Sequence, residues 1–123
     1  MNDQISEYVG KYPDEIAALF KTLAELIYES APFAPEEKLW AKLPTFCCGE
    51  AFVRLIPFKD HINVEARAVL SHTGELPGFK ITPKGMLQIP AASRRSLPLD
   101  VLKAIFSETL AGWGKPRRGN PKE

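Results

Sequence analysis

Two cysteines and two histidines are all that 123 residues offer to a soft metal or a thiol enzyme. Four thiolate or imidazole ligands are the usual minimum for a closed structural zinc site, so such a site would consume every one of them. The cysteines are adjacent, Cys47 and Cys48, with Cα atoms ~3.8 Å apart, below the usual ~4.4–6.8 Å of a disulfide. In an extended chain their side chains point to opposite faces and cannot readily grip one ion. One is expected to be core filler and the other semi-exposed. No glycine-rich phosphate loop, nucleophile elbow or zinc-protease pattern occurs. No apolar run approaches the ~18 residues of a membrane span. The opening "MNDQISEYVG" lacks the basic-then-apolar order of a signal peptide. The expectation is a cytoplasmic protein, with no membrane partner, that is more a binder than an enzyme.

What is present is an ordinary globular composition, 45% apolar and 25% charged. The length suits one domain, assigned to residues 1–112, followed by a basic tail at 113–123 with little to bury, expected to be mobile. Net charge is +1, but residues 1–50 carry −5 and residues 51–123 carry +6. Arg94, Arg95, Lys115, Arg117, Arg118 and Lys122 come with no nucleic-acid recognition motif. They read as solubilising, and no nucleic-acid partner is expected.

Periodicity supplies the elements. Pro13 opens a helix whose apolar residues Ile16, Leu19, Phe20, Leu23, Leu26 and Ile27 share one face, and "APFAP" stops it. "PEEKLWAKL" reads as a short helix from Pro35 to Pro44, with Leu39, Leu43 and Trp40 facing inward. "AFVRLIPF" and "HINVEARAVL" read as strands. In the second, Ile62, Val64, Ala66, Ala68 and Leu70 take the packed face, and His61, Asn63, Glu65 and Arg67 the polar one. "FKIT" and "KGMLQIP" add two short strands. "SLPLDVLKAIFSETLAGWG" closes with a helix burying Leu99, Leu102, Ile105, Phe106 and Leu110. The predicted fold class is α+β, a two-layer sandwich of antiparallel sheet with N- and C-terminal helices on one face.

"ISEYVGKYPDEIAALFKTLAELIYESAPFAPEEKLWAKLPTF", "HINVEARAV" and "KGMLQIPAASRRSLPLDVLKAIF" together resemble a bacterial family often called YdhG-like, over Ile5 to Leu110. That resemblance implies a frataxin-like antiparallel sheet backed by helices. It also implies an intracellular iron chaperone serving an iron–sulfur assembly partner protein, with iron weakly bound. It brings no catalytic residue.

Under that reading Glu25 and Glu29, spaced i and i+4, with Glu36 and Glu37 beyond, are the candidate iron ligands. The alternative is a solvated helix face. His61, Asn63, Glu65 and Arg67 form a second candidate site, for a small anion or a protein, or a face that is merely wet. His61 and Glu65 stand ~13 Å apart along a strand and cannot chelate one ion unaided. A thiol enzyme would need Cys47 or Cys48 beside His61. If accessible, Trp40 and Trp113 would suit a homodimer or partner surface, so monomer and homodimer both stay open.

Overall fold

The computed structural model describes residues 1–112; the tail expected to be mobile and Trp113 lie outside the described residues. The amphipathic stretch after Pro13 forms α2 (Asp14–Ser30), and its expected apolar face is buried. A shorter helix, α1 (Asp3–Val9), precedes it and buries Ile5 and Val9. The closing helix is α3 (Leu99–Leu110), stopped by Gly112 at φ +83°, a left-handed position where glycine has no Cβ to clash. Among the described residues no helix is long and apolar enough to cross a membrane.

Six strands form one antiparallel sheet: β1 (Glu36–Trp40), β2 (Leu43–Cys48), β3 (Ala51–Pro57), β4 (His61–Glu65), β5 (Lys80–Ile81) and β6 (Leu87–Pro90). Their spatial order is β1-β2-β3-β4-β6-β5. Phe46, Val53, Leu55, Ile62, Val64, Leu87 and Ile89 point to one side and are sealed from water by the helices. Phe46 is the hub, with ring centroids 6.3 Å from Phe20 and 6.4 Å from Tyr28. The fold is α+β, with its helices on one face of an open sheet.

Four sequence expectations are corrected. The segment "PEEKLWAKL" is not a helix. Glu36–Trp40 is a strand, paired from Glu36↔Cys47 to Trp40↔Leu43, and Ala41–Lys42 turn it back into β2. Trp40 accordingly faces outward, 49% exposed. The strand of "HINVEARAVL" ends at Glu65, and a 3₁₀ turn, Arg67–Ser71, follows. β6 pairs no further than Val64↔Leu87, and the Ala68 amide donates instead to Thr109 Oγ1 of α3 at 3.1 Å. Leu70 therefore leaves the packed face. On α3, Leu99 is exposed and Thr109 takes a buried place in the stripe. Finally, both cysteines are buried, so neither is semi-exposed.

Asn2 lies against one edge of the sheet. β1 is an edge strand, and an edge presents backbone groups with no strand to meet. Asn2 Nδ2 donates to the Glu37 carbonyl at 3.0 Å, while Asn2 Oδ1 caps α1 by accepting from the Ile5 amide at 2.9 Å. The Asn2 amide and the Tyr28 hydroxyl both donate to the Glu37 carboxylate. Burial and this bond push the Tyr28 phenol up to about 12.

Candidate functional site

On the sheet face away from the helices, register lines up Lys38, Thr45, Arg54 and Glu65 across four strands. Arg54 is the centre of this row. Its guanidinium carbon lies 5.0 Å from the ring centroids of both Trp40 and Phe52. The two rings meet edge to face at 5.4 Å. Arg54 Nη1 donates to Glu65 Oε1 at 2.8 Å and Nε to Thr45 Oγ1 at 3.3 Å. A planar cation set against two aromatic rings and tied to a carboxylate and a hydroxyl uses both the flat face and the forked donors of arginine. The sequence reading places Arg54 and Glu65 on strands but Lys38 on a helix, so it gives no sign that the row converges.

His61, Asn63 and Glu65 share this face as expected, yet each has its own business. The His61 ring stacks on Phe58 at 4.5 Å, with Nδ1 2.7 Å from Asp60 Oδ1. That contact holds the Asp60 carboxyl below its usual range. Asn63 sits between Ile56 and Gln88, and its Oδ1 is buried without a hydrogen-bond partner. Arg67 is not with them, because the strand has ended.

Arg67 instead belongs to a cavity of about 850 Å³ at the end of the sheet, where Phe52 and Glu65 reach round from the open face. The 3₁₀ turn contributes Arg67 and Leu70, the segment after α2 contributes Phe33, and α3 contributes Leu110. Gly49, at φ +65° in the two-residue turn between β2 and β3, forms part of the rim. A left-handed first turn position is what glycine supplies in a II′ hairpin. Leu70 and Phe33 are 64% and 59% exposed, more than any other large apolar side chain among the described residues. The two are 37 residues apart in sequence, so only the fold could reveal that they share a wall.

The four glutamates do not assemble. Glu36 and Glu37 are neighbours on a strand rather than a helix and so face opposite sides of the sheet. Glu37 is taken up by Tyr28 and Asn2. Glu29 pairs with Lys103 at 3.3 Å, and Glu25 lies on the exposed arc of α2. Among the described residues no three histidine, cysteine or acidic side chains come together as a metal site.

Nor does a thiol meet an imidazole through the register. Cys47 stands opposite Phe52, and His61 lies beyond Pro57, about six residues or ~20 Å along the strands. Burial raises both thiols above their usual value; Lys38 and Arg54 only partly offset this for Cys47, as does a backbone hydrogen bond at Phe33 for Cys48. Neither is poised as a thiolate nucleophile. Searches of family models, of curated proteins and of solved structures each return no match to this chain.

Proposed function

We propose that the protein is a binding module, not an enzyme, that takes a small organic molecule with an apolar body into the cavity at the end of its sheet. One observation carries this reading: its two most exposed large apolar side chains, among the described residues, line the same concave space. Covering a leucine or phenylalanine contributes about 1.5–3 kcal/mol, so a molecule seated between Phe33 and Leu70 gains from both. The volume lies within the ~300–1,000 Å³ range of small-molecule sites, and Glu65 and Arg67 supply polar groups at the rim.

The test is titration of the full chain with N-phenyl-1-naphthylamine, a neutral probe whose fluorescence rises in apolar surroundings. Saturable binding with a negative heat-capacity change is expected. Leu70→Glu should abolish it, while Leu99→Glu, at another exposed leucine outside the cavity, should leave it intact. A wild-type chain that gives no saturable signal would dispose of this reading.

A second reading is favoured by Arg54. Tryptophan, arginine and aromatic partners are the residue types that dominate protein interfaces, and here they cluster on a sheet face that helices leave open. A protein partner docked there would make Arg54→Ala far more damaging to binding than Lys38→Ala. The iron-carrier reading draws its support from the resemblance alone. Its four glutamates do not converge on one point, so substituting Glu25, Glu29 and Glu36 by glutamine should leave a ferrous titration unchanged.

A further inference from the structure

The 3₁₀ turn that carries Arg67 and Leu70 is fastened to α3 at two points. One is the Ala68 amide on Thr109 Oγ1, buried and made of groups that do not titrate near neutrality. The other is His72, just past the turn. Its Nε2 lies 3.0 Å from both carboxylate oxygens of Glu108, and its Nδ1 lies 3.2 Å from Glu75 Oε1. The side chain is only 12% exposed. A neutral imidazole carries a single N–H, so it would turn a bare lone pair toward one of those carboxylates. Only the doubly protonated ring satisfies both at once.

We propose that His72 is a pH-operated latch, whose double grip on Glu108 and Glu75 holds one wall of the cavity in place and so regulates the ligand site proposed above. The inference rests on that reading of the cavity. The charged groups that face the ring are Glu108, from α3, and Glu75, from its own loop. The hydrogen bond to Glu108 outweighs burial, and with Glu75 it raises the histidine above its ordinary value. The sign follows from the raised value. The latch contributes fully below the unfolded-chain value near 6.5 and is lost as pH climbs through the higher folded value. Above that, of these two polar ties only the one to Thr109 keeps its full strength, beside the buried packing of Ala68 and Val69.

Three measurements on the full chain decide the matter. Proton NMR of the imidazole Cε1–H signals should give His72 a midpoint above that of the urea-denatured chain, brought down by Glu108→Gln. Amide exchange over residues 68–76, corrected for intrinsic rate, should rise across that midpoint. The expected rise is about tenfold for each pH unit separating folded and unfolded midpoints. N-Phenyl-1-naphthylamine should bind several-fold more weakly above the midpoint, and His72→Gln should flatten that dependence. A His72 midpoint no higher than in the denatured chain overturns the latch. Probe affinity equal on both sides overturns its control of the cavity. Probe binding at neither pH overturns the cavity reading itself, and the regulation with it.

Discussion

Asn2 meets three demands with one side chain and one amide: it caps α1, it reaches the edge-strand carbonyl of Glu37, and it donates to the Glu37 carboxylate. Loss of an N-cap oxygen costs about 0.5–2 kcal/mol, and the edge contact adds a second hydrogen bond of about 1 kcal/mol. Asn2→Ala should therefore lower stability by about 1–3 kcal/mol in urea unfolding; Asn2→Asp, which keeps the cap but not the donor, should lose only part of that. The cysteines give the opposite kind of residue-level lesson. Their adjacency catches the eye, yet it is alternation that decides their fate. Cys48 goes to the helix side among core residues, Cys47 to the other side, and both are covered. Alkylation by iodoacetamide at neutral pH should be slow for both and should accelerate on unfolding. Rapid labelling of the native chain would reopen thiol chemistry. That the two thiols face apart was legible in the sequence; that the outward one would be buried was not, because its cover comes from neighbouring strands.

At the level of elements, β1 shows how a helical signature can belong to a strand. Proline ahead of two glutamates, then leucines four apart, is a good helix beginning. What makes it a strand is a hairpin with none of the usual turn chemistry. Ala41 and Lys42 both lie in the left-handed region, at φ 54° and 66°. Side chains with a Cβ are strained there by about 1–2 kcal/mol each, which is why such turns favour Asn-Gly. The double substitution Ala41→Asn and Lys42→Gly should therefore raise stability by about 1 kcal/mol, seen as a few degrees in Tm. A fall in Tm would mean that these side chains contribute something the turn geometry does not explain. The Arg67–Ser71 turn was missed for a related reason. The alternation that marks β4 continues in the sequence to Leu70, but strands need partners, and β6 supplies none beyond Val64.

Taken as a whole molecule, the layered arrangement was legible because its signals are periodic and long. The apolar faces of α2 and α3 and the alternation around Ile62 and Val64 could be satisfied only by packing on one another. Phe46 sits where these layers meet, fully buried against α2. Phe46→Ala should cost about 3–5 kcal/mol, as for other buried aromatics, measured as a shift in urea midpoint without a change in slope. The candidate site was not legible in this way. Residues 33, 52, 65, 67, 70 and 110 reach it from five segments, with no shared period and no motif. Polar residues on one strand suggested a face, and two of them do border the site. Its apolar wall depends on a strand ending early and on a loop after α2, neither of which leaves a local mark.

The two margins of the sheet differ from a bare template in different ways. β5 is only two residues long, and β1, the longer margin, has Asn2 seated against it. The connection from α1 to α2, Gly10 to Pro13, is largely exposed and short. A protease nick there would let the first nine residues drift off and uncover a five-residue strand ready to zip onto a neighbour. Limited digestion should thus convert a well-behaved solution into one that clumps, with intact chain in the same tube staying clear.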